Sequence, residues 1–176
     1  LSNKGFNECM NNSLTKSSHT DLIEEISADH QVELLNPLSK DLNGMRQSLL
    51  FSGLENIAYN INRKNTNLKL YEFGKTYHLN KQYNENRKLI LLACGQQKAE
   101  SWNNKNNKVD LFWMKEQIEH ILIRLGITKM KGKAVKNSYL NYGFCFAVKK
   151  NTVATFGSVK KKMLKAFDVK SEVLYA

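Results

Sequence analysis

Apolar positions recur along the chain at two periods, and the alternation between those periods sets out the elements. From Asn43 to Arg63, Met45, Leu49, Leu50, Leu54, Ile57, Ala58 and Ile61 fall three and four residues apart. That is one continuous stripe on a helix of about five turns, suited to packing across a sheet. A second stripe, Met114, Ile118, Ile121, Leu122 and Leu125, has Asp110 ahead of it as a cap and Gly126 behind it as a left-handed stop. Elsewhere the period is nearer two. Leu68, Leu70, Phe73 and Tyr77 alternate across Leu68 to Leu79 around Gly74, and Leu89 to Gly95 is almost wholly apolar; both read as strands, with polar Asn80 to Arg87 as the loop between them.

Shorter segments complete the pattern. Phe6 to Leu14 predicts an opening strand, Thr15 to Thr20 a loop, and Thr20 or Asp21 the cap of a helical turn through Leu22, Ile23 and Ile26. Val32 to Leu35 is apolar again and stops at Asn36-Pro37, where the one proline of the chain forces Asn36 into an extended conformation. Lys98 to Lys108, rich in Asn and Lys around Trp102, reads as a loop. Lys131 to Lys136, Phe144 to Val148 and Thr152 to Phe156 are strand candidates, the last two joined by a tight hairpin at Lys149 to Asn151. Val159 to Phe167 predicts a short helix, and Glu172 to Ala176 the start of a further strand. Strands joined by hairpins, with a few helices and no regular alternation, predict an α+β fold with a mainly antiparallel sheet flanked by helices, as one domain over residues 1–176.

Composition adds a partner class. Twenty-seven basic and 16 acidic residues give a net charge of +11, carried by 23 Lys and 4 Arg. Lysine-dominated charge suits long-range attraction to a polyanion or an acidic subunit more than bidentate reading of bases; a solvated lysine-rich surface is the plain alternative. Cys9, Cys94 and Cys145 lie far apart with no Cys-x-x-Cys, which points to buried thiols in a reducing compartment rather than zinc or disulfides. No apolar run reaches the roughly 20 residues of a membrane helix, and no signal peptide opens the chain, so a soluble cytoplasmic protein is expected. The chain opens at Leu1 and stops within a strand-like segment, as expected of a piece of a larger polypeptide.

Motif searches subtract chemistry. Neither a phosphate-binding Gly-x-x-x-x-Gly-Lys-Ser/Thr nor a Gly-x-Gly-x-x-Gly is present, and His19, His30, His78 and His120 stand in unrelated contexts without a nucleophile signature. Glu24-Glu25 reads as a solvated face rather than an acid and base pair. Arg46 reads as a contact to a partner or a carboxylate, or, the preferred reading, as a surface salt bridge. Gly74 inside a strand points to a bulge or to close approach of another backbone.

One ordered run carries a resemblance: Asn36-Pro37-Leu38-Ser39, Met45-Arg46, Ser48-Leu49-Leu50, Asn60, Asn62-Arg63 and Tyr71-Glu72-Phe73-Gly74-Lys75. Gly5-Phe6-Asn7-Glu8 and Ser13-Leu14 precede it. Trp102, Val109-Asp110, Lys115, Phe156-Gly157-Ser158-Val159 and Met163 to Asp168 follow it. In this order the chain resembles the C-terminal half of bacterial phenylalanine–tRNA ligase beta subunits, in the domain built like a class II synthetase core but without catalytic residues. The resemblance implies a non-catalytic structural domain that pairs with a catalytic alpha subunit in an assembly of two alpha and two beta chains. ATP and Mg²⁺ would serve that holoenzyme, with no cofactor, catalytic residue or metal ligand in this segment. It further implies Asn36, Pro37, Arg46, Glu72, Gly74 and Gly157 as structural or interface residues and tRNA as a partner, with Lys160, Lys161 and Lys162 as candidate phosphate contacts.

The chain also departs from class II catalytic patterns. Class II enzymes hold ATP with an Arg-x-Glu strand motif and a late arginine in a Glu-Arg helix ending, because opposed cations must stabilise the triphosphate. Here Leu70 stands two residues before Glu72, and Lys160-Lys161-Lys162 stands in the late segment, where the beta family commonly has a histidine or serine and then a proline. Two rival readings remain: an ATP-using class II paralogue, and a stand-alone RNA-binding module stacking bases on Tyr139, Tyr142, Phe144 and Phe146 near Lys136, Lys149 and Lys150.

Overall fold

A computed structural model describes residues 1–98, 101–102 and 107–176. Its frame is a seven-stranded sheet in the order β1-β4-β5-β9-β8-β7-β6. The strands are β1 (Asn7–Glu8), β4 (Leu68–Asn80), β5 (Gln82–Cys94), β6 (Lys131–Val135), β7 (Leu140–Val148), β8 (Asn151–Val159) and β9 (Leu174–Tyr175). β2 (Leu14–Thr15) and β3 (Gly44–Met45) form a separate two-stranded ladder. Every pairing is antiparallel except β1 on β4, so the mainly antiparallel α+β expectation holds.

Helix α1 (Leu50–Ile61) lies on one face of the large sheet. Its Leu50, Phe51, Leu54 and Ile57 join Leu68 and Leu70 of β4, Ile90 and Leu92 of β5, and Met163 and Leu164 of α3 (Lys161–Ala166). Helix α2 (Leu111–Arg124) covers the opposite face, where Met114, Ile118 and Leu122 meet Tyr71, Leu91, Ala93, Phe156 and Leu174. A strand covered on both faces needs apolar side chains at every position, which is why Leu89 to Cys94 loses its alternation. Helix α2 begins and ends as its sequence predicts. The Asp110 carboxylate accepts from the Trp113 amide at 2.7 Å, and Gly126 adopts φ +78° just past the last turn.

Several expectations are corrected. The first helix starts at Leu50 rather than Asn43 because the backbone ahead of it is already used: Gly44–Met45 pairs with Leu14–Thr15, the Arg46 amide donates to Ser13 O, and Arg46 O accepts from Tyr77 N. The Ser48 hydroxyl then accepts from the Leu50 amide. Phe6 to Leu14 is not one strand. Its first part runs parallel to Leu70–Tyr71 and its last residue belongs to the small ladder. The helical turn expected from Thr20 is a 3-10 turn, Ser17–Leu22, followed by a second at Ala28–His30 that Ser27 caps.

Asn80 to Arg87 is not a loop either. β4 and β5 form an unbroken hairpin from Leu68↔Cys94 to Asn80↔Gln82, and Gln82 to Lys88 of β5 is exposed throughout, so ladder bonds to β4 hold a strand segment that no apolar pattern marks. The last strand candidates lengthen to β7 and β8, and β9 is shorter than Glu172 to Ala176. The expected loop Lys98 to Lys108 falls in part on residues outside the described ones; Trp102, within them, is exposed.

Candidate functional site

Three residues singled out in the sequence, Arg46, Glu72 and Gly74, meet on the α1 face of β4. Glu72 shares that face with Leu68 and Leu70, which places a carboxylate at the edge of the apolar core. Arg46, delivered by the segment between β3 and α1, donates Nη1–H to Glu72 Oε1 at 2.7 Å; the two side chains are only 4% and 2% exposed. The surface salt bridge expected for Arg46 is therefore corrected to a buried one, because the segment before α1 is bonded between Ser13 and Tyr77 rather than continuing the helix.

The remaining polar atoms of the pair are largely satisfied, as burial of charge demands. Asn11 Nδ2 donates to Glu72 Oε2 at 2.7 Å, and Asn56 of α1 in turn donates to Asn11 Oδ1 at 2.9 Å. Arg46 Nε donates to the Lys75 carbonyl at 3.0 Å, and Nη1 reaches the Asn12 carbonyl at 3.4 Å. Gly74 completes the group: a Cβ there would lie 2.5 Å from Arg46 Nη2 and 2.6 Å from Leu49 Cδ2. Its glycine makes room for a side chain rather than for a bulge, and the ladder passes through Gly74↔Lys88 without a shift. The network ties the opening segment, the α1 entry, α1 itself and β4 together.

Asn11 and Asn56 were missed in the sequence because neither lies in a recognisable motif. The usable signal was an asparagine on the inner side of a helix predicted to pack on a sheet. Near the network, burial pushes the Cys9 thiol up, assisted by the Glu72 charge, so Cys9 is a poor nucleophile. A cavity of about 350 Å³ opens beside Arg46, lined by Asn12, His19, Asp41, Ser52 and Glu55 among others. His19 packs between Phe51 and Phe167, and burial, followed by the Lys16 charge, lowers its pKa.

The other candidates stand apart. Asn36 and Pro37 occupy an exposed loop whose neighbours Leu35 and Leu38 are 99% and 96% exposed. Gly157 lies in β8 against β7, where a Cβ would collide with the Tyr142 carbonyl, so close backbone approach explains it. Lys160 is half-buried at the start of α3, whereas Lys161 and Lys162 project into solvent.

These residues do not fit an ATP site. Leu70 is buried in the core, Glu72 is neutralised by Arg46, and Lys161 and Lys162 of α3 are exposed. Of the other arginines, Arg63 stacks on the Tyr59 ring at 3.4 Å, Arg124 lies in the last turn of α2, and Arg87 is on the exposed half of β5. No two of them oppose each other across a common site. The stacking surface is also weak. Phe146 is buried against Phe156, Tyr139 packs edge-on to Tyr175, and Tyr142 donates to Glu172. Among the described residues no group of three or more His, Cys, Asp or Glu could hold a metal ion, and no helix is long and apolar enough to cross a membrane.

Comparison with known proteins agrees with this geometry. The fold is that of a class II aminoacyl-tRNA synthetase core: pyrrolysyl-tRNA synthetase of Desulfitobacterium hafniense superposes with a TM-score of 0.73 at 12% identity, covering 99% of this chain and 60% of that one. A second structure of that organism's enzyme, PylSc, gives 0.72 at 14%. The phenylalanine–tRNA ligase beta subunit of Bacteroides thetaiotaomicron is 42% identical over 98% of this chain, and that of Porphyromonas gingivalis 36% identical over 98%. The chain spans 23% of the length of each of these two subunits. The family model described as the phenylalanyl tRNA synthetase beta chain CLM domain matches residues 1–176, and the chain belongs to that family.

Proposed function

We propose that this chain is a single class II-like domain that has kept the synthetase fold as architecture and does no chemistry of its own. It supports attachment of phenylalanine to tRNA by pairing with a catalytic alpha subunit, within an assembly of two alpha and two beta chains. ATP and Mg²⁺ act on the alpha side, tRNA lies near the basic surface, and the assembly works in the cytoplasm. The observation that carries this reading is the fate of Glu72. The carboxylate of the strand motif is locked to Arg46 and Asn11 beneath α1, where it braces the opening segment, the α1 entry and α1 against β4 and is closed to a nucleotide.

The exposed Leu35 and Leu38 beside Asn36-Pro37 supply apolar surface for a partner. Asn36 and Pro37 would shape that loop, and Arg46, Glu72, Gly74 and Gly157 would act structurally. Lys161 and Lys162, with Lys160 beside them, are the proposed phosphate contacts.

Sedimentation of the chain with and without the matching alpha subunit tests the reading. A complex at micromolar concentration is expected, together with no ATP binding by the chain alone. Absence of a complex, or stoichiometric ATP binding to the chain, overturns it.

A further inference from the structure

The net charge of the chain sits in one place. Residues 121–167 hold 11 Lys and Arg and no Asp or Glu, while the other 16 basic residues equal the 16 acidic ones. The +11 is therefore carried whole by this segment, which builds the end of α2, then β6, β7, β8 and α3. Among the described residues none of these 11 cations forms an ion pair, whereas Lys16, Arg46, Lys75 and Lys115 elsewhere all do. Two carboxylates reach the segment and are taken by other groups: Glu25 accepts from the Ser138 amide and hydroxyl, and Glu172 from the Tyr142 and Ser158 hydroxyls.

The fold draws these charges into a track. β6 is the end strand of the sheet, its residues Lys131 to Ala134 are exposed, and Lys131 and Lys133 project from the same face roughly 7 Å apart. Lys131 pairs with Ala147, two residues before Lys149, so the exposed Lys149 and Lys150 of the β7–β8 turn stand beside the exposed Lys129 at the start of this edge. At the far end of β6 the exposed Lys136 leads to Tyr139, whose carbonyl accepts from the Lys160 amide at the start of α3. The edge thus joins the β7–β8 turn to the α3 lysines. Lysines that merely guard a free strand edge would explain β6 alone, because charge of either sign blunts an edge and the turn lysines lie off it. Cations repeated at a constant step along a straight edge complement an anion repeated likewise, and lysine holds phosphate as a point charge without reading bases.

We propose that the β6 edge and the β7–β8 turn form a track for the phosphate backbone of RNA, continuous with α3, in which Lys129, Lys131, Lys133, Lys136, Lys149 and Lys150 make the contacts. The track rests on the proposed tRNA partnership and gives the nucleic acid its route across this domain. Like charges held together without partners repel one another, and a bound polyanion relieves that repulsion.

Titration of the alpha–beta assembly with tRNA at several salt concentrations tests it. Lys131→Gln with Lys133→Gln, and separately Lys149→Gln with Lys150→Gln, should each lower the slope of log affinity against log salt by about 1.4–1.8. Lys131→Arg with Lys133→Arg should keep the native slope, since the charge is kept. A steep native slope that either Gln pair leaves unchanged overturns the continuous track while the tRNA partnership stands. A native assembly whose affinity for tRNA does not depend on salt overturns both. Self-association of the β6 Gln pair in sedimentation, with its tRNA slope still native, would make the row a guard of the free edge and overturn the track as well.

Discussion

At the scale of single residues, the Arg46–Glu72 pair decides more than any other contact. Removing one partner leaves the other charge buried, so Arg46→Met or Glu72→Gln should each lower stability by about 3–5 kcal/mol in urea unfolding. Arg46→Met combined with Glu72→Leu should cost clearly less than the sum, because neither charge then needs a partner. Additive losses would mean that the two residues act separately. Gly74→Ala belongs to the same unit, since its Cβ displaces the guanidinium, and should cost about 1–3 kcal/mol in the native background but less beside Arg46→Met. A different residue sets the pH response. His19 is held between Phe51 and Phe167 with its pKa lowered by burial and by Lys16, so in the window between its folded and unfolded values the unfolded chain binds more protons. Its contribution to stability is present above about pH 6.5, the ordinary histidine value, and is lost as pH falls through the folded value. Denaturation midpoints should therefore fall from pH 7.5 to 5.5, and His19→Gln should reduce that fall; an unchanged slope in the variant would assign it to other groups, with His78, also lowered by burial, the first to examine.

At the scale of elements, helix α2 was legible because every one of its determinants is local. The stripe, the Asp110 cap and the Gly126 stop lie within one short segment and do not depend on the rest of the chain. Asp110→Ala should cost about 1 kcal/mol and Gly126→Ala about 1–2 kcal/mol, adding closely because the helix separates them; calorimetry of the two single variants and the double variant checks this. The start of α1 was not legible. Met45 and Leu49 fit the helical stripe by spacing, yet Met45 is committed to a ladder with residues some thirty positions earlier, and only tertiary structure shows that. The outer half of β5 failed for the opposite reason. Exposed from Gln82 to Lys88, it has no apolar periodicity to detect, and it is a strand because its ladder with β4 satisfies the backbone. The candidate site divides along the same line. Arg46, Glu72 and Gly74 were marked by resemblance to a family, but their meeting was hidden, since it needs Asn11 and Asn56 from distant segments to complete the shell. Resemblance transfers positions; the chemistry between them comes only from the fold.

At the scale of the whole molecule, a buried acidic motif, an exposed apolar loop and a strongly basic surface are three regions with separable consequences. The loop should act on subunit association alone. Leu35→Asp with Leu38→Asp alters two side chains that have almost no intramolecular burial, so the unfolding midpoint should stay within about 0.5 kcal/mol while affinity for the alpha subunit falls at least ~10-fold by sedimentation. The basic surface should act on RNA alone, and salt is the variable that separates it from the loop. A net charge of +11 gives attraction that screening weakens, and each lysine neutralising a phosphate steepens the fall of log affinity with log salt by about 0.7–0.9. Lys161 and Lys162 project fully from α3, whereas Lys160 is half-buried near Glu25, whose carboxylate its charge influences. Lys161→Gln with Lys162→Gln in the alpha–beta assembly should therefore lower the tRNA salt slope by about 1.4–1.8, and Lys160→Gln should lower it by less than about 0.7. The alpha–beta association itself should not change in any of these variants. Equal salt slopes for native and double-variant assemblies would remove the α3 lysines from the tRNA path, leaving them as a solvated face and returning the charge of the chain to the β6 edge and the β4–β5 hairpin.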